Sequence, residues 1–152
     1  MQLYTYPNNK NAYKALIAAE MVGVPLEVPP FKMGQDNKTP EFLARNPHGK
    51  VPLLVTEEGC FFESSSIARY VARVGGGAGP LLGRTAMERA LIEQWISFAG
   101  SELDPAIMAW CLPLIGVMPY SDSGHAAAMA ATQVTAAPLP LLIPPPTPPG
   151  PA

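Results

Sequence analysis

Pro52 closes the string Asn46-Pro47-His48-Gly49-Lys50-Val51-Pro52, and Glu63-Ser64 follows eleven residues after it. The residues after this proline read as a strand, yet proline has no N–H to give a sheet. It is also the residue before which a cis peptide costs little. Both properties suit a point where the chain stops pairing with itself. The N–H and C=O of Val51 can then turn outward, where an extended peptide can pair with them as an added strand. Glu63-Ser64 opens a helix and offers a carboxylate, a hydroxyl and the free N–H groups of a first turn. The α-amino-acid end of a ligand requires such partners. Each half alone has a plain structural use, Gly-Lys-Val-Pro as a turn into a strand and Glu-Ser as a helix cap. Their spacing, with strand signals between them, is what points to a binding edge.

The bulk properties narrow the rest. A chain of 152 residues holds one domain, or one and a half small ones. The formal net charge is −2, and Lys and Arg are scattered without a basic stripe, which argues against a direct nucleic-acid partner. The two cysteines, Cys60 and Cys111, have neither C-x-x-C nor metal-ligand spacing, so no disulfide framework and no metal site is expected. No secretory signal is visible at the N-terminus. The longest apolar run before the tail, Pro105–Ser121, contains prolines and is too short to span a bilayer. These features predict a cytoplasmic chain with no membrane partner and no bound cofactor.

Along the chain, Leu3–Tyr6 reads as a strand and Asn11–Val22 as a buried helix broken only by Lys14 and Glu20, closed by Gly23. Leu26–Val28 reads as a second strand, and Phe31–Lys38 as an irregular loop. Thr39-Pro40-Glu41 starts a short helix. Val51–Thr56 and Cys60–Phe62 read as strands joined by Glu57-Glu58-Gly59. Ser64–Val74 is a helix with Ile67, Tyr70, Val71 and Val74 on one face. The Gly-rich run 75–80 is a linker and not a phosphate loop, since a Walker pattern would need Gly at Ala78 and Lys at Arg84. Thr85-x-x-Glu88 is a capping box, opening a helix expected to break near Pro105 and Pro113. The last 30 residues carry no Asp, Glu, Lys or Arg, and residues 138–152 hold eight of the 19 prolines. The expected division is an α/β domain over 1–75, a linker over 76–84, the start of an all-α domain over 85–121, and a Pro/Ala-rich tail over 122–152 without stable secondary structure.

The order β-α-β, short helix, β-β-α, with Asn46–Pro52, Glu63-Ser64 and Ile67-Ala68-Arg69-Tyr70-Val71, resembles the cytosolic glutathione transferase family. The string from Tyr6 to Glu20, with Asn37–Leu43, Ile92–Ile96 and Met118–Ser121, is similar to one branch of it, the gamma subunits of translation elongation factor 1, in particular plant and algal forms. The resemblance covers about residues 3–121. It implies a thioredoxin-like N-terminal domain followed by an incomplete, truncated all-α domain and a disordered tail. It further implies a scaffold module of the elongation factor 1 guanine-nucleotide exchange complex, with the other subunits of that complex as partners and self-association left open. The alternative it implies is a transferase conjugating glutathione to small electrophiles.

By the same resemblance, Val51 would pair its backbone with the cysteinyl part of glutathione, and Pro52 would hold a cis bond. Glu63 and Ser64 would take the γ-glutamyl end. Lys50 or Lys38 could face the glycine carboxylate as a point charge, though both also read as solvated surface. A transferase stabilises the thiolate with a hydroxyl or thiol just after the first strand. Here that region reads Pro7-Asn8-Asn9-Lys10-Asn11, with no Ser or Cys. Tyr6, Asn8 and Asn9 are the only candidates for that role. Tyr13 lies inside the helix, and His48 reads as an exposed turn residue. The residues therefore favour a binding fold over an efficient enzyme, with glutathione as a ligand to be tested.

Overall fold

A computed structural model describes residues 1–76 and 81–137. The chain divides into two compact units, Met1–Ile92 and Glu93–Ala152. The first unit holds a sheet of three short strands, β1 (Gln2–Tyr4), β2 (Leu53–Val55) and β3 (Cys60–Phe62), in the order β1-β2-β3. Both pairs are antiparallel, with Leu3 opposite Leu54 and Leu53 opposite Phe62. The expected strand Leu26–Val28 is reduced to one parallel bridge between Gln2 and Glu27. Its two bonds run from the Leu3 N–H to the Glu27 carbonyl (2.8 Å) and from the Glu27 N–H to the Met1 carbonyl (3.1 Å). Pro25, Pro29 and Pro30 flank this bridge and have no N–H to lengthen it.

Helix α1 (Lys10–Val22) begins at Asn9, whose side chain accepts from the Asn11 N–H, and ends at Gly23 in the left-handed region. Its buried residues are alanines: Ala12, Ala15, Ala18 and Ala19. Helix α3 (Ser64–Val74) contributes Ile67 and Val71, and these pack with Leu3, Leu54 and three of the alanines in one core. Leu3 and Leu54 are ladder partners, so they reach the same face of the sheet. Tyr4 and Leu53 alternate to the other face. There Phe31 stands between Tyr4 and Phe42, with ring centroids 6.3 and 5.4 Å apart. Phe42 belongs to α2 (Pro40–Arg45), capped by Thr39 with Pro40 in its first turn, as expected. At the end of α3, Gly75 lies against α1, so close that a Cβ there would collide with the Val22 side chain.

The capping box forms as expected. The Glu88 N–H donates to Thr85 Oγ1 (3.1 Å), and the Glu88 carboxylate accepts from the N–H groups of Thr85 (3.0 Å) and Arg84 (2.6 Å). Those bonds, Thr85 first, hold the Glu88 carboxyl below the ordinary glutamate value. Helix α4 (Ala86–Phe98) follows and runs into the second unit.

In the second unit a five-residue π segment, Ala99–Leu103, leads into α5 (Asp104–Leu114). The break therefore precedes Pro105, which sits in the first turn of α5 where a missing N–H costs nothing. Pro113 lies in the last turn, and α5 ends one residue later at Leu114, so the second break falls near this proline as expected. The larger correction concerns the expected tail, because Asp122–Ala136 forms helix α6, capped by Ser121. Absence of charge is not absence of structure here, since this stretch is rich in alanine, the strongest helix former. The Thr132 hydroxyl donates to the Ala106 carbonyl (2.9 Å) and ties α6 to α5. The expectations for the proline-rich stretch 138–152 and for linker positions 77–80 lie outside the described residues. Of the apolar face expected to lack partners, Met108, Trp110 and Leu112 are half-buried, with the Trp110 ring 6.2 Å from that of His125 in α6, and only Ile115 is exposed; Leu114, Val117 and Met118 are exposed beside it. Among the described residues, no helix is long and apolar enough to cross a membrane.

Two measurements probe this framework. Gly75→Ala drives a methyl group into Val22 and should lower stability by about 1–3 kcal/mol in urea denaturation. A parent-like transition would show that Val22 can turn aside. The depressed Glu88 carboxyl contributes stability that is present above its ordinary pKa of 4.5 and lost as pH falls through the lower folded value. Glu88→Gln should therefore flatten the acid side of a melting profile as pH falls below about 5. An unchanged slope would remove Glu88 from the acid response.

Candidate functional site

The segment Gly49–Val51 has almost no main-chain partners, and side chains replace them. The Asn37 amide donates to the Gly49 carbonyl at 2.8 Å. The Asn46 amide donates to the Lys50 carbonyl at 2.7 Å. The Asn9 amide approaches the Val51 carbonyl at 3.5 Å, the long end of the hydrogen-bond range. All three asparagines are buried, with exposures of 7, 1 and 5% respectively. Each also uses its side-chain oxygen. Asn37 accepts from the Gly34 N–H, Asn46 from the His48 N–H, and Asn9 from the Asn11 N–H. The Lys50 and Val51 N–H groups have no partner among the described residues. The Val51-Pro52 peptide is cis, as expected, and Pro52 is buried.

The β2–β3 register brings Glu63-Ser64 alongside. The ladder ends where Leu53 faces Phe62, so Val51-Pro52 and Glu63-Ser64 adjoin the sheet at the same end. Glu63 is exposed, lacks a side-chain bond to the helix it precedes, and has a φ of +76°. That region favours glycine, and a glutamate held there is strained. Ser64 opens α3, and its hydroxyl accepts from Lys14 Nζ at 3.3 Å. Lys50, Val51, Pro52, Glu63 and Ser64 thus gather at one end of the sheet. The side chains of Lys50 and Lys38 are exposed, and His48 is exposed with its ring 5.6 Å from that of Phe62.

The candidates after β1 divide. Asn9 is committed: one amide hydrogen goes to Thr5 Oγ1 (3.0 Å), the other toward Val51. Asn8 is exposed, with a φ of +63°, and its side-chain oxygen accepts from the Tyr13 hydroxyl (3.1 Å). Tyr6 is exposed. Tyr6, Asn8, Asn9 and Tyr13 line a cleft of about 520 Å³ whose other wall includes Val28, Pro29, Pro30 and Phe31. Val51, Glu63 and Ser64 are not among its lining residues. Sequence reasoning missed Lys14, although a lone lysine in an alanine-rich helix was a usable signal. It also missed Asn37 and Asn46, whose buried amides give no sequence signal distinct from a turn residue. Among the described residues, no group of His, Cys, Asp and Glu could hold a metal ion.

Residues 1–73 match the family described as glutathione S-transferase, N-terminal domain. A probable elongation factor 1-gamma 1 of Arabidopsis thaliana is 52% identical over 129 residues, covering 84% of this chain and 31% of that protein. Elongation factor 1-gamma 1 of Oryza sativa subsp. japonica is 50% identical over 130 residues, covering 85% of this chain and again 31% of its own length. The chain is similar to these elongation factor 1-gamma proteins over most of its own length. It spans about a third of the length of these elongation factor 1-gamma relatives. A match to 85% of the chain cannot fit within residues 3–121, so the likeness to elongation factor 1-gamma runs into α6. This corrects the narrower span expected from motifs alone. Among solved structures, a theta class glutathione S-transferase from Xanthomonas axonopodis pv. citri, with glutathione bound, superposes with a TM-score of 0.80. It is 26% identical, and the match covers 91% of this chain and 67% of that one. A thioredoxin-like transferase domain followed by helices is therefore the fold.

The strain at Glu63 yields a prediction. Glu63→Gly removes the unfavourable φ and should leave stability equal or raise it by about 1 kcal/mol in a thermal melt, despite glycine's greater freedom when unfolded. A clear loss of stability would mean that the carboxylate supports the fold.

Proposed function

We propose that this chain is a glutathione transferase-like scaffold module of the elongation factor 1 guanine-nucleotide exchange complex, with the other subunits of that complex as its partners. The observation that carries this reading is the 52% identity over 129 residues to a protein named elongation factor 1-gamma, against 26% to a transferase of the same fold. The residues after β1 support it, since Pro7–Asn11 contains no Ser or Cys and the Asn9 amide is already bonded. The exposed apolar residues Leu114, Ile115, Val117 and Met118 are suited to a protein contact.

The same reading assigns Lys50, Val51, Pro52, Glu63 and Ser64 to a glutathione edge that binds without efficient turnover. Val51 would offer its N–H to the cysteinyl part. Glu63 and Ser64, with Lys14 behind the serine, would meet the γ-glutamyl amine and carboxylate. The purified chain should co-elute with the nucleotide-exchange subunits of elongation factor 1 in size-exclusion chromatography. It should also show no conjugation above background with a chlorinated nitroaromatic electrophile. Separate elution together with turnover at ordinary transferase rates would replace this reading by the enzymatic one.

A further inference from the structure

We infer that Asn9, Asn37 and Asn46 are positioning residues: three side-chain amides that set the successive peptides of Gly49–Val51 so that the Lys50 and Val51 N–H groups stand as a rigid docking edge for an extended peptide. The inference rests on the glutathione edge proposed above and adds residues outside it. Its basis is peptide geometry. In a trans peptide the C=O and the next N–H are held in one plane and point opposite ways. The bond from Asn37 to the Gly49 carbonyl therefore fixes where the Lys50 N–H points. The bond from Asn46 to the Lys50 carbonyl fixes the Val51 N–H in the same manner. Asn9 acts on the third carbonyl. One of its amide hydrogens is fixed by buried Thr5, which aims the other at Val51. All three amides are themselves held by an N–H bonded to their oxygen. A segment that would otherwise be a mobile loop is thus ordered before any ligand arrives, and the ordering entropy is not charged to binding.

Asparagine-to-aspartate replacement isolates the donor, because aspartate keeps the accepting oxygen and loses the N–H. Asn46→Asp keeps the oxygen that accepts from the His48 N–H and loses the N–H that holds the Lys50 carbonyl; it also buries a charge, so its melting temperature should fall and binding is read below that transition. Asn46→Ser keeps an accepting oxygen without the new charge and is too short to reach the Lys50 carbonyl. Both variants of the full chain should bind glutathione at least about 5-fold more weakly by calorimetry. In 15N relaxation without ligand, the Val51 amide should fall from an order parameter near about 0.85 toward a value below about 0.6. Variants with the parent's affinity and the parent's rigid Val51 amide would overturn the inference, as would a loss confined to the aspartate. If the unsubstituted chain does not bind millimolar glutathione, the glutathione reading of this edge fails. The relaxation data then decide the clamp alone: a mobile Val51 amide in both variants sustains it, and an unchanged one overturns it.

Discussion

The turn into β2 contains three carbonyls in succession, those of Gly49, Lys50 and Val51, with no strand beside them, and a carbonyl left unpaired away from water is costly. Asparagine amides from three separate places in the chain satisfy them: the start of α1, the turn before α2 and the end of α2. Much else follows from this arrangement. It ties the N-terminal helix and the α2 region to one segment. It permits strands of only three residues, since the sheet need not extend to hold the loop. It also leaves donors facing outward at a point where a folded chain would ordinarily bury or pair them.

The edge is completed by the ladder rather than by a loop of its own. Because β2 and β3 are antiparallel neighbours joined by a short hairpin, the residues preceding β2 and following β3 are brought together automatically. The motif spacing of eleven residues between Pro52 and Glu63 is the length of that hairpin. A recognisable pattern in one dimension is therefore a rigid geometry in three. Glu63 shows the cost locally: a residue with a carboxylate occupies a backbone conformation that glycine would adopt more easily.

What is legible in the sequence tracks how local the cause is. The capping box at Thr85 and Glu88, the α3 boundaries Ser64–Val74 and the strand Cys60–Phe62 depend on neighbouring residues, and sequence and structure agree on them. Leu26–Val28 has strand-forming residues, but the prolines around it leave only a bridge. Helix α6 has no clear apolar periodicity, and the sequence marks it only by the Ser121 cap, Asp122 in the first turn and the propensity of its alanines. The roles of Asn9, Asn37 and Asn46 depend on partners up to 42 residues away, and asparagine is so common in turns that its presence there gives no warning. For Asn9 the expectation of a sulfur-facing donor meets a residue whose amide hydrogens are already directed elsewhere.

The division at Ile92 also separates charge. Ten basic and eight acidic residues precede Glu93, whereas the stretch beginning there has four acidic residues and no Lys or Arg. A near-neutral whole thus joins a mildly cationic half to a purely anionic one. The halves attract opposite partners, polyanions the first and a lysine-rich surface the second, and added salt weakens both attractions. Net charge and isoelectric point, being averages over both, describe neither.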